Sequence, residues 1–182
     1  IAPVPALVAF TVALAGCGPP APSFPVTILA QAGRFGAIET AAAAEDSVDW
    51  WDSATADDEA CSDSDIAMEL ARFLPPALGV GAGEVRLSTA DRLPERGDVI
   101  VLGTHRSNTL VRALAGKPTS VETADEAYSL RARADRGRTV VVVEGATWRG
   151  TRAGAYALLE RMGVRFRSDH GGGAPAPPRS AQ

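Results

Sequence analysis

Two short runs, residues 98–103 (DVIVLG) and 139–145 (TVVVVEG), are apolar almost throughout and bounded by turn residues, the pattern of strands buried on both faces. Residues 127–133 (AYSLRAR) instead alternate apolar and polar positions, as a half-covered strand does. With Arg136-Gly137 as the turn, this segment and the second apolar run predict a hairpin. Ile66, Ala67, Leu70, Phe73 and Leu74 recur at helical spacing, Ser64 or Asp65 can cap that helix, and Pro75-Pro76 is expected to stop it. After the turn GVGAGE, Val85 and Leu87 predict a short strand. In THRSNTLVRALAG, Ser107 or Asn108 can cap a helix that carries Leu110, Val111 and Leu114. The most regular stretch is residues 144–166, EGATWRGTRAGAYALLERMGVRF. It predicts a helix with Ala155, Leu158, Leu159 and Met162 on one face and Glu160 facing away, closed by Gly163 and followed by a strand VRF. Parallel crossovers beside a hairpin imply an α+β fold (two-layer α/β), with a mixed β-sheet and helices packed mainly on one face, over residues 24–168.

Composition narrows the classes. A chain of 182 residues with 46% hydrophobic and 22% charged residues fits one globular domain with some length to spare. The net charge of −4 divides unevenly: residues 1–65 hold ten acidic side chains against Arg34 alone, and the remainder holds seventeen basic against twelve acidic. The basic excess is dispersed and aromatics make up only 5%, so nucleic-acid binding is excluded.

Both ends differ from the middle. Residues 1–23 read as a targeting segment, with an apolar run over 4–15 that is short for a membrane span. The run ends in Leu14-Ala15-Gly16-Cys17, which resembles the lipobox of bacterial lipoproteins. That resemblance implies lipidation at Cys17, a Pro/Gly-rich tether over 18–25, export, and anchoring to a membrane at the cell surface or in the periplasm. No Met and no Lys or Arg precede the run, so the start is read as truncated. An ordinary secretory signal or a buried apolar helix is the alternative, and Pro3 and Pro5 oppose the helix. If the segment is not processed, a Cys17–Cys61 disulfide competes with lipidation; two cysteines alone provide no metal site. Residues 169–182 are low-complexity, as expected for a disordered tail.

Residues 45–65 carry nine carboxylates and no basic residue. Their spacing lacks the alternate ligands, turn glycine and closing Glu of a calcium loop, so a solvated acidic loop is expected. Trp50 and Trp51 inside it could stack on a sugar, although an anchor pinning the loop to the domain is the favoured reading. His105 follows a strand and precedes a helix, but no nucleotide-loop glycine pattern surrounds it, so a surface-loop histidine is expected. Glu144 ends a buried strand, and neither it nor Glu160 has an evident partner in the sequence. No GxSxG elbow exists, and His170 falls in the tail.

Three pieces, WWDSATADDEACSDSDIAMELARFL, LPERGDVIVLGTHRSNTLVRAL and VVVVEGATWRGTRAGAYALLERMGVRF, resemble the N-terminal accessory domain that precedes the catalytic barrel in α-glucuronidases and, in related form, β-hexosaminidases. The third is the most specific, matching a pattern like GxxYGxYxLLExLGVRF. Gly145, Arg149, Gly150, Gly154, Tyr156, Leu158, Leu159, Glu160, Gly163, Val164, Arg165 and Phe166 occupy the corresponding places, and Ala153 stands where Tyr is common. The resemblance implies a non-catalytic domain of an exported glycoside hydrolase active on xylan-type polysaccharide, partnered in cis by a (β/α)8 barrel that carries the hydrolytic carboxylates. Sixteen residues follow Phe166, so no catalytic residue is assigned, and no metal or cofactor is expected. Gly145 and Gly150 would permit a tight strand-to-helix turn, with Trp148 and Arg149 facing the barrel. The alternative is a free-standing, surface-anchored module that binds a glycan or a protein through Trp148, Arg149, Trp50 and Trp51. A small enzyme built on Glu144 and His105 is the remaining possibility.

Overall fold

A computed structural model describes residues 24–51, 55–116 and 125–166; the targeting segment with Cys17 and the expected tail lie outside these. Among the described residues nine main elements follow in order: β1 (Val26–Leu29), α1 (Ile38–Ala42), α2 (Thr55–Leu78), β2 (Val85–Ser88), β3 (Val99–Thr104), α3 (Thr109–Ala115), β4 (Tyr128–Asp135), β5 (Arg138–Gly145) and α4 (Trp148–Arg161). Short 3-10 turns at Gly33–Phe35, Glu45–Ser47 and Ala82–Glu84 join them. The strands form one mixed sheet in the order β2, β1, β3, β5, β4. Four run parallel, and β4 closes the edge as an antiparallel partner of β5. The fold is therefore α+β around a mixed sheet.

Period-two alternation along the central strands divides the core. Val26, Ile28, Ile100, Leu102 and Val143 face one side, where Ile66, Leu70 and Leu74 of α2 and Ala155 and Leu159 of α4 meet them. Leu29, Val99, Val101, Val140 and Val142 face the other side, under Val111 of α3. Burying each large aliphatic side chain contributes about 1.5–3 kcal/mol, which is why Val99–Leu102 of β3 and Val140–Val143 of β5 are unbroken apolar runs. The longer helices all lie on the first face.

Three local expectations change. The helix expected from Ile66 starts at Thr55, so most of the acidic segment is helical rather than a loop. Ala56, Ala60 and Ala67 favour helix, and Asp57 and Asp58 in the first turn complement its dipole. Pro75 and Pro76 lie inside the final turn. Gly79, at φ 70°, then closes the helix as Val80 N–H donates to Pro75 O at 3.0 Å and Gly79 N–H to Pro76 O at 3.3 Å. The expected VRF strand is not one of the elements. Phe166 instead packs edge-on against Phe73 and Tyr156, with centroids 5.8 and 4.9 Å away, a gain specific to aromatic pairs.

The hairpin forms as expected, pairing Asp135 with Arg138 across Arg136-Gly137, both at positive φ. From β5 the chain turns into α4 with almost no spare room. A Cβ at Gly145 would lie 2.1 Å from Thr151 N, and one at Gly150 would lie 2.2 Å from Ala127 O. Thr147 caps α4, its hydroxyl accepting from Arg149 and Gly150 N–H. At the far end Val164 N–H donates to Leu159 O at 3.0 Å, with Gly163 at φ 92°.

Candidate functional site

Two places concentrate polar chemistry, and the first lies at the carboxyl ends of β3 and β5. Parallel register sets Gly103 beside Glu144, so the turn after β3 arrives next to a buried carboxylate. His105 Nε2 lies 2.8 Å from Glu144 Oε1, in an approach off the direction of a hydrogen bond. Ser129 Oγ donates to Glu144 Oε2 at 2.9 Å, and Arg131 Nη2 stands 3.4 Å away. His105 is therefore not a surface-loop histidine: its side chain is 22% exposed and lodged against Glu144. Residues far apart in sequence meet here because β3 and β5 are neighbours and β4 folds back beside them.

The turn itself is built from its own hydroxyls. Thr104 Oγ1 accepts from the backbone N–H of Arg106 at 3.1 Å and of Ser107 at 2.9 Å. Asn108 caps α3 through Leu110 and Val111 N–H, while its Nδ2 donates to Leu102 O at 2.9 Å. Helix α2 covers the turn with two acids. Arg106 Nε donates to Glu59 Oε1 at 2.9 Å, and Ser107 Oγ donates to Asp63 Oδ2 at 2.7 Å. Burial pushes Asp63 up to about 7; the Ser107 bond opposes that rise and Glu59 adds to it. Gly103 is required where these pieces converge, since a Cβ there would sit 2.9 Å from Ser107 Oγ and 3.0 Å from Asp63 Oδ2.

Sequence reasoning missed both acids because they stand within a charge run. Their signal is positional: Glu59 and Asp63 extend the buried stripe of Ile66, Leu70 and Leu74 by about two further turns.

The second place is a cleft of about 490 Å3 between the Glu45–Ser47 turn, α2 and α4. Ala42, Glu45, Trp50, Cys61, Ser62, Asp65, Trp148 and Arg152 line it. It joins two of the candidate aromatics. Trp50 Nε1 donates to Glu45 O at 3.1 Å, which satisfies the indole's polar group and leaves its ring to the cleft. The guanidinium carbons of Arg149 and Arg152 lie 4.7 and 5.5 Å from the centroid of Trp148. Arg149 also bonds Asp125 at 2.7 Å, and Arg152 Nη2 bonds Asp65 Oδ2 at 2.7 Å. Trp51 departs from expectation: it is 95% exposed and anchors nothing, its ring lying outside the cleft lining. Cys61 is a free, buried thiol, and burial, then Glu45, Asp65 and Asp58, push it above its usual range. It is poorly suited to be a nucleophile.

Among the described residues no group of three or more His, Cys, Asp or Glu could hold a metal ion, and no helix is long and apolar enough to cross a membrane. No protein-family model matches the chain, and no curated protein matches it.

Proposed function

We propose that this chain is the non-catalytic N-terminal domain of an exported, lipid-anchored α-glucuronidase-like glycoside hydrolase, supporting a (β/α)8 barrel in the breakdown of xylan-type polysaccharide. One observation carries the reading: the positions that match the accessory-domain pattern include those that seat α4 on the hairpin and on α2. Gly145 and Gly150 each have backbone where a Cβ would go, and Gly154 would meet Val143 Cγ1 at 2.9 Å. Tyr156 packs on Phe166 and donates to Glu69 Oε2 at 2.7 Å, and Gly163 turns the chain at the end of α4. The pattern thus describes a docking geometry rather than a reacting centre. The ionisable groups at the strand ends are consistent with this, because Glu144 and Glu59 are both engaged by neighbours inside the domain.

The second reading, a free-standing surface-anchored module that binds a glycan or a protein, is favoured by the cleft that gathers Trp50 and Trp148. The two readings separate at the gene. Reading the locus downstream of the Gln182 codon, then assaying both the chain and any longer product on glucuronoxylan oligosaccharides, tests the first. It expects a barrel-coding frame and hydrolysis by the longer product alone. A chain that hydrolyses unaided, or a locus without such a frame, contradicts it.

A further inference from the structure

We propose that the cleft between the Glu45–Ser47 turn, α2 and α4 binds the neutral pyranose rings of an oligosaccharide. This inference deepens the glycan-binding reading of the same cleft and needs no catalytic barrel, so it stands apart from the accessory-domain reading. Its volume of about 490 Å3 falls within the ~300–1,000 Å3 of small-molecule sites. Two indoles stand in its wall, one of them, Trp50, with its only polar atom already bonded inside the protein. An indole surface so prepared offers a ligand apolar contact alone, which suits the C–H face of a pyranose.

The polar lining fits the rest of a sugar. Asp65 and Arg152 form an adjacent acceptor and donor 2.7 Å apart, and both remain partly exposed at the cleft. Such a pair can receive and donate to two neighbouring hydroxyls at once. Ser62 also lines the cleft.

Charge decides against the competing ligands. Asp65 and Arg152 cancel, leaving Glu45 to disfavour an anion such as a uronate. A quaternary cation would meet two guanidinium groups of the protein already over the Trp148 ring, which leaves it the Trp50 face alone rather than an aromatic cage. A neutral ligand with an apolar face and ordered hydroxyls remains.

All three tryptophans lie in the cleft wall or next to it, so intrinsic fluorescence reports on this site. The experiment is a fluorescence titration with xylohexaose, cellohexaose and chitohexaose, with glucuronate and tetramethylammonium as charged counter-probes. At least one neutral hexaose should give a saturable change, and Trp50→Ala should weaken it about tenfold, the scale of a lost aromatic contact. Arg152→Gln should weaken it too, whereas Trp51→Ala, outside the cleft lining, should change it less than about twofold. Circular dichroism of each variant separates lost binding from lost folding. The proposal is overturned if none of the hexaoses produces a saturable change, if a folded Trp50→Ala variant binds as the parent does, or if only a charged counter-probe binds.

Discussion

The strand-end cluster and the Trp50/Trp148 cleft use similar groups, carboxylates and arginines beside a ring, with opposite outcomes. At the strand ends Glu144, Glu59 and Asp63 are buried and tied to His105, Ser129, Arg106 and Ser107. In the cleft Asp65 and Arg152 pair within reach of solvent. The difference is one of helix face. Glu59 and Asp63 lie on the side of α2 that covers the turn after β3, whereas Asp65 reaches Arg152 of α4. The cluster spends its chemistry on holding the turn inside the domain, and the cleft presents its polar pair at the surface.

Breaking the cluster should cost the most. Glu144→Ala removes the carboxylate shared by His105, Ser129 and Arg131, and should lower unfolding stability by about 3 kcal/mol in a urea titration. An unchanged midpoint would mean that the cluster does not hold the fold.

Asp63 gives the next effect, and its sign follows from its raised value of about 7. The protonated carboxyl is favoured in the folded state, so its contribution is fully present below the unfolded-state value and is lost as pH rises through about 7. The groups facing it are Glu59 on the same helix and Ser107 in the turn. From pH 5.5 to 8 this group alone should remove roughly 2 kcal/mol, and Asp63→Asn should flatten that slope. A variant with the parent's pH dependence would assign the slope to another group. Asn108→Ala, which loses the cap of α3, should cost about 1 kcal/mol in the same titration. Trp51→Ala should stay within about 0.5 kcal/mol of the parent, because its ring is 95% exposed; a larger loss would restore the anchoring role.

What the sequence discloses follows from the range of each interaction. The hairpin, the Asn108 cap and α4 with its Gly163 ending are local, and their signals lie within a few residues. Strand β1 went unread although it is central to the sheet: four residues between Pro25 and Ala30 are too few for periodicity to mark. The start of α2 was hidden by its charges, which suggested solvent where tertiary contacts bury Glu59 and Asp63. Trp50 and Trp148 were each visible as candidates, but their meeting depends on how α2 and α4 pack, which no local pattern encodes. The pairing of His105 with Glu144 depends likewise on the β3–β5 register.

The most direct test of this division of labour is a thermal melt of the parent, Glu144→Gln and Trp50→Ala, each with and without a saturating neutral hexaose. Glu144→Gln should melt lower by about 6 °C and keep the ligand-induced rise. Trp50→Ala should melt as the parent does and lose that rise. The reverse pattern, with Glu144→Gln melting normally but no longer responding to the sugar, would place the ligand at the strand ends and contradict the account.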